Sequence, residues 1–117
     1  MNQDDRRVFK RFQITGGKVK YRLPQGPEST VELCDLSKNS VRFEMTGKLQ
    51  NGDALDLELN IPSHETIKLI GRVVWTSMAR DSHPAYAAVQ FVPFSTEEFR
   101  TTPAFKQLDL ILRELEA

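Results

Sequence analysis

Apolar and polar residues alternate in six short segments of this chain. In the clearest segment, Leu55, Leu57 and Leu59 are separated by single polar residues. A period of two is typical of a β-strand with one face in the core and the other in solvent. The segments with this pattern are residues 18–23, 29–36, 41–45, 55–61, 66–76 and 86–92. The pattern therefore predicts a mainly β fold.

Turn-forming residues separate these segments. Residues 24–27 are rich in proline and glycine, Asn51 and Gly52 form a hairpin-type pair, and Pro62 ends the strand before it. Gly71 lies inside the long fifth segment, where we expect a bend or a bulge that lets the sheet curl. Six short strands with regular turns predict a six-stranded antiparallel β-barrel, closed or split, because a sheet that curls on itself hides its edges.

The last part of the chain has the spacing of an amphipathic helix. One helix start is predicted at Ser95, where Glu98 completes a capping box, and a second at Thr102, with Pro103 in the first helical position. An apolar stripe follows at Phe105, Leu108, Ile111, Leu112 and Leu115. The stripe needs a cover, which is either the barrel itself or a partner helix in a homodimer.

Composition limits the class of protein. The 117 residues suffice for one domain, the formal net charge is zero, and no apolar run has the length of a membrane span. The first residues lack the apolar core of a signal peptide, so we expect a cytoplasmic protein. The single cysteine, Cys34, excludes an internal disulfide and is expected to be a buried strand residue.

Residue patterns for catalysis or metal binding are missing from the sequence. The two histidines, His64 and His83, lie in loops beside prolines and outside any metal-ligand spacing. A glycine-rich phosphate loop is missing as well. We therefore expect no enzyme activity, no metal and no cofactor.

One stretch near the start is basic although the chain as a whole is neutral. Residues 6–22 contain no acidic side chain. Their cations are Arg6, Arg7, Lys10, Arg11, Lys18, Lys20 and Arg22. A basic arm of this kind, here residues 1–13, is either a solvated tail or a binding element for an anion.

A second informative stretch follows the second predicted strand. Asp35 can accept two hydrogen bonds from adjacent N–H groups, as on a guanine edge, and Ser37 can donate to a phosphate oxygen. Both continue the parity of the core residues Val31 and Leu33, so they are expected at the rim where that strand ends. Capping of a turn is the alternative role for Asp35.

Together the two stretches resemble the PilZ domain, the bacterial receptor domain for cyclic di-GMP. The resemblance rests on Arg7-x-x-x-Arg11, preceded by Arg6, and on Asp35-x-Ser37-x-x-Ser40. It extends over the strands around Gly71 and residues 88–91 and over the helical tail. It implies a single domain, with an arm at residues 1–13, a barrel at 17–93 and a helical tail at 95–117.

The resemblance also implies roles for single residues. Arg7 and Arg11, with Arg6 beside them, match the arginines of a flexible arm that closes over the ligand, and arginine suits this task because its planar fork grips phosphates and guanine. Asp35 matches the position that reads the guanine edge, and Ser37 the hydroxyl beside it. The family has glycine at the position of Ser40. Glycine there serves either a left-handed backbone or a close approach to the ligand with no side chain in the way, so we expect serine to weaken binding. The alternative is that Asn39 takes the unusual backbone conformation instead.

Three functions are compatible with the sequence. The first is a stand-alone sensor that binds cyclic di-GMP and signals to an unidentified protein partner through its arm. The second is a PilZ-like interaction module that has lost or weakened nucleotide binding at Ser40. The third is a barrel that binds RNA or single-stranded DNA through the arm and an exposed Tyr21 or Trp75. The neutral net charge and the expected place of Trp75 in the core argue against the third.

Overall fold

The computed structural model describes residues 10–78, 84–92 and 102–116. These residues form a mainly β structure with a helix at its C-terminal end. The strands are β1 (Phe12–Gln13), β2 (Lys18–Arg22), β3 (Glu28–Leu36), β4 (Ser40–Glu44), β5 (Ala54–Asn60), β6 (Ile67–Thr76) and β7 (Tyr86–Val92), and helix α1 spans Pro103–Glu116. The strands β2 to β7 are the six that the alternation predicts.

The sheet closes into a barrel. Antiparallel neighbours follow in the order β3-β2-β5-β6-β7-β4, and β4 pairs back onto β3. The predicted six-stranded antiparallel barrel is therefore confirmed, in its closed form. The short strand β1 is an addition, because Phe12 and Gln13 pair with Leu36 and Asp35 at the end of β3. The last residues of the predicted arm thus belong to the sheet.

The barrel interior is filled by the inward residues of the alternating strands. Val19, Leu59, Phe43 and Phe91 have no exposed surface. Burial of each such side chain stabilises the fold by about 1.5–3 kcal/mol. Tyr21 stacks on Phe43 with ring centroids 5.0 Å apart, and its hydroxyl donates to the carbonyl of Thr46 at 2.6 Å. Tyr21 is therefore a core residue.

The bulge in β6 is not at Gly71, where we expected it. Gly71 pairs regularly with Leu55 and Phe91, and the register of β6 against β7 shifts between Val73 and Trp75 instead. A side chain at Gly71 would bring its Cβ within 2.3 Å of Val89 Cγ1. Glycine is therefore needed there because neighbouring strands pack closely.

The same bulge turns Trp75 out of the core. Val74 and Trp75 are adjacent and both exposed, at 46% and 45%. Strict alternation would bury one of them, which is why the sequence predicted Trp75 to be a core residue. That prediction is wrong.

Helix α1 begins where the second predicted start lies. The hydroxyl of Thr102 accepts the N–H of Phe105 at 3.2 Å and satisfies one of the free amides of the first turn. The predicted capping box at Ser95 and Glu98 lies outside the described residues. Within the described ranges, no helix has the length and apolarity that a membrane crossing requires.

The apolar stripe of α1 packs on the barrel of its own chain. Leu108, Ile111 and Leu112 are buried in the same cluster as the strand residues, whereas Leu115 remains 42% exposed. Two polar contacts join the helix to the loops around it. Lys38 lies 3.4 Å from Asp109, and His64 lies 3.3 Å from Glu114. The helix therefore lies beside the turn that connects β3 and β4.

Candidate functional site

A bulge at the end of β3 builds the candidate site. Leu33 pairs with Phe43, but the next pair is Asp35 with Arg42, so the register shifts by one residue. Paired residues of neighbouring strands lie on the same face of a sheet. Leu36 and Val41, the following pair, are both fully buried. The shift therefore places Asp35 with Arg42 on the outer face and Leu36 in the core.

This arrangement corrects the expected place of Asp35. Its parity with Val31 and Leu33 predicted the rim of the core face, which an uninterrupted strand would give. The bulge reverses that parity before Asp35. The carboxylate is nevertheless only 7% exposed, because two arginine side chains cover it.

Asp35 is bound by one arginine on each oxygen. Arg11 approaches Oδ1 with Nε at 2.7 Å and Nη2 at 2.6 Å. Arg42 approaches Oδ2 with Nη2 at 2.7 Å. Two guanidinium groups on one carboxylate leave one positive charge in excess, which favours an anion at this surface.

The turn from Ser37 to Ser40 is closed by its own polar groups. The N–H of Ser37 donates to the carbonyl of Ser40 at 2.9 Å, and the N–H of Ser40 donates to Ser37 Oγ at 3.2 Å. Ser37 Oγ donates its proton to Asn39 Oδ1 at 2.6 Å. The hydroxyl of Ser37 has no exposed surface and can reach a phosphate only if Asn39 gives up this bond.

Ser40 links the turn to the arginine of the arm. Its Oγ accepts a hydrogen bond from Arg11 Nη1 at 2.7 Å and lies 3.2 Å from Ser37 Oγ. The two hydroxyl oxygens are within hydrogen-bond distance of each other. Arg11, Ser40 and Ser37 thus form one continuous hydrogen-bonded chain.

The backbone at Ser40 is not left-handed, contrary to expectation. Among the described residues other than glycine, Ser63 is the one with positive φ, at 72°. Ser40 is the first residue of β4 and pairs with Gln90 of β7. The part of the expected cost that rested on backbone strain is therefore wrong, whereas a cost from the side chain beside the ligand stays a prediction.

The structure brings four of the predicted site residues together. Arg11, Asp35, Ser37 and Ser40 form one hydrogen-bonded group. Arg6 and Arg7 lie outside the described residues, so their roles stay predictions.

Sequence reasoning missed Arg42. Its guanidinium lies 5.8 Å from the ring centre of Tyr86, on the neighbouring strand β7, while it binds Asp35. The only signal was its outward parity beside the core residue Phe43. That signal identifies a surface arginine without pointing to Asp35.

The thiol next to this group, Cys34, is only partly buried. Burial raises the pKa of Cys34 above its ordinary value, although the nearby positive charge of Arg42 acts in the opposite direction. The thiol therefore remains protonated at neutral pH and is a poor nucleophile.

The site lies on the outer side of the barrel, where the half-exposed Arg11 and Arg42 cover the buried Asp35. A cavity of about 920 Å³ lies elsewhere, between the outer faces of β2, β5 and β6 and the start of α1, and Arg11, Asp35 and Arg42 do not line it. In the part of the chain that the structure describes, no cluster of side chains could hold a metal ion. The arrangement is suited to binding an anionic ligand at the surface.

Solved structures with the same fold are known. The chain superposes on the PilZ domain of Escherichia coli YcgR with c-di-GMP, with a TM-score of 0.72 and 17% identity, over 95% of this chain and 92% of that chain. The K. pneumonia MrkH–c-di-GMP complex gives 0.71 and 18%, over 92% of this chain and 51% of that one. The Bacillus subtilis inhibitor of motility MotI/DgrA gives 0.68 and 14%, over 99% and 52%.

Two of these three proteins are about twice as long as this chain, which spans 51% and 52% of them. No sequence among the curated proteins matches this chain. The PilZ domain family, in contrast, matches residues 5–104. That match covers most of the barrel and both sequence motifs, and this chain therefore belongs to the PilZ domain family.

Proposed function

We propose that this chain is a cyclic di-GMP sensor that closes its arginine-rich arm on the nucleotide and signals through a protein partner. The site residues are Arg6, Arg7, Arg11, Asp35, Ser37 and Ser40, and Ser40 acts through its hydrogen bond with Arg11. The observation that carries the proposal is the contact of Arg11 with both Asp35 and Ser40, since it joins the two sequence motifs in one place. The YcgR and MrkH structures of the same fold contain c-di-GMP, which supports this choice of ligand.

The chemistry of the group suits a guanine nucleotide. A carboxylate accepts from the N1–H and N2–H of guanine, and an arginine fork binds phosphate oxygens or the O6 and N7 edge. Arg11 binds Asp35 Oδ1 in the structure. Guanine binding therefore requires Arg11 to leave this oxygen and to turn towards the nucleotide. This exchange moves the arm, and the moved arm is the signal that a protein partner detects.

Calorimetric titration with cyclic di-GMP tests the proposal. Wild-type protein is expected to bind with a dissociation constant of roughly 10 μM or tighter, and Arg7→Ala and Arg11→Ala to weaken binding at least about tenfold. The control is Arg22→Ala, which removes a strand arginine whose ion pair with Asp56 is exposed on both sides. Absence of binding by the wild type, or equal affinity of Arg7→Ala, would overturn the proposal.

A second candidate is a PilZ interaction module with weakened nucleotide binding. The observation that favours it is the hydrogen bond from Arg11 Nη1 to Ser40 Oγ, because the glycine found in the family offers no such acceptor. This bond holds the arm arginine beside Asp35. The second candidate predicts that wild-type protein fails to bind cyclic di-GMP and that Ser40→Gly binds it.

A further inference from the structure

The pair of Asp35 and Arg42 differs from the other cross-strand arginine pair in the barrel. Arg22 and Asp56 are also opposite each other on neighbouring strands, 3.2 Å apart, but both side chains are at least half exposed. In the Asp35–Arg42 pair the carboxylate is 7% exposed and the distance is 2.7 Å. An exposed pair contributes little, whereas a buried carboxylate depends on its partner.

The guanidinium of Arg42 is held between two elements. From β4, its Nη2 binds Oδ2 of Asp35 on β3, and its guanidinium carbon lies over the ring of Tyr86 on β7. Its Nε is buried and, within the described residues, has no hydrogen-bond partner. An unpaired buried N–H is unfavourable, so the contacts with Asp35 and Tyr86 determine this pose.

The two oxygens of Asp35 therefore have different environments. Oδ2 is bound by Arg42, which belongs to a barrel strand and is fixed by strand pairing. Oδ1 is bound by Arg11, which precedes the short strand β1 at the edge of the sheet. Strand pairing fixes one of the two arginines more firmly than the other.

From this difference we propose that Arg42 is a positioning residue for base selection. It fixes Asp35 through Oδ2, so that the carboxylate keeps one orientation when Arg11 leaves Oδ1 and a guanine edge takes its place. The inference rests on the proposed function and deepens it, because it assigns the choice of guanine to a residue outside both sequence motifs. Adenine presents no pair of donors to a carboxylate in this orientation, so the fixed Asp35 discriminates against it.

The test compares two ligands on four proteins. Wild type, Arg42→Gln, Arg42→Lys and the control Arg22→Gln are titrated with cyclic di-GMP and cyclic di-AMP, and the ratio of the two affinities is the readout. Arg42→Gln is expected to lose at least about tenfold in cyclic di-GMP affinity and to reduce the ratio by a similar factor. Arg42→Lys keeps the charge without the planar fork and is expected to lie between wild type and Arg42→Gln. Arg22→Gln is expected to match the wild type in both.

The outcomes separate the two proposals. Absence of cyclic di-GMP binding by the wild type overturns the proposed function. Binding by the wild type with an unchanged ratio in both Arg42 variants overturns the inference, even if their affinities fall, because a purely electrostatic contribution weakens both ligands equally. Thermal unfolding shows whether Arg42→Gln is folded. If it is not, Arg42→Lys decides the question.

Discussion

Arg11 and Asp35 are bound to each other across the edge of the barrel. Nε and Nη2 of Arg11 lie 2.7 and 2.6 Å from the same carboxylate oxygen, Oδ1. The two residues are 24 positions apart in sequence, so the contact ties the start of the chain to the end of β3. The arm arginine thus satisfies the buried carboxylate until a ligand competes for it.

A double-mutant cycle measures the strength of this contact. The free energies of unfolding of wild type, Arg11→Ala, Asp35→Ala and the double variant are expected to give a coupling of about 1 kcal/mol. We expect only a moderate coupling energy because the Arg11 side chain is 40% exposed and solvent screens its charge. The same cycle for Arg22 and Asp56 is the control and is expected to give less than about 0.5 kcal/mol. Equal couplings in the two cycles would contradict a special role for the buried carboxylate.

The barrel could be predicted from the sequence because its strands alternate regularly. Leu55, Leu57 and Leu59 are each 2% exposed or less, as their period of two requires. The contact between Arg11 and Asp35 could be expected only from the family resemblance. Nothing in the spacing of the two residues shows that β1 and β3 pair.

The positions that could not be predicted lie at the two bulges. A bulge changes which face a residue occupies, and its place depends on how two strands fit together. Asp35 was predicted at the rim of the core face, but the shift places it on the outer face of the barrel. Trp75 was predicted in the core, but the shift places it in solvent. Arg42 became part of the site for the same reason. The alternation within one strand does not show how that strand pairs with its neighbour.

A substitution at Gly71 tests the close approach of strands. In Gly71→Ala the new Cβ would lie 2.3 Å from Val89 Cγ1 and 2.9 Å from Leu57 Cδ1, so side chains of two neighbouring strands must shift. The free energy of unfolding, measured by urea denaturation, is expected to fall by about 2–3 kcal/mol. In the control Gly26→Ala the nearest atom is 3.4 Å away, in ordinary contact, and a change within about 0.5 kcal/mol is expected. A neutral Gly71→Ala would show that the strands can separate without cost.

Ser63 offers a stabilising substitution. The N–H of His64 donates to the carbonyl of Ile61 at 3.0 Å, which closes a turn with Pro62 and Ser63 at its centre. Ser63 has φ of 72°, the conformation that the third position of a type II turn requires and that glycine adopts without strain. Ser63→Gly is therefore expected to raise the free energy of unfolding by about 1 kcal/mol. Ser63→Ala retains the strained backbone, and a gain as large as that of Ser63→Gly would contradict this explanation.

The hydroxyl of Ser40 is predicted to compete with the ligand. Ser40 Oγ accepts from Arg11 Nη1 at 2.7 Å, and the proposed binding step removes Arg11 from this place. Loss of one such hydrogen bond weakens the contact that competes with the proposed complex by about 1 kcal/mol, which corresponds to about a fivefold gain in affinity. Ser40→Ala removes the hydroxyl and leaves the ordinary β-strand backbone unchanged. We therefore expect it to bind cyclic di-GMP about fivefold more tightly than the wild type.

Two further variants separate the hydroxyl from the backbone. Ser40→Gly is expected to match Ser40→Ala, because Ser40 has no positive φ that glycine would relieve. Ser29→Ala, at the far end of β3, is expected to leave the affinity unchanged. If Ser40→Gly alone gains affinity, the size or backbone of residue 40 limits binding and not its hydroxyl. If Ser40→Ala binds more weakly than the wild type, Arg11 stays on Ser40 in the complex, and the exchange of Arg11 for the nucleotide is wrong.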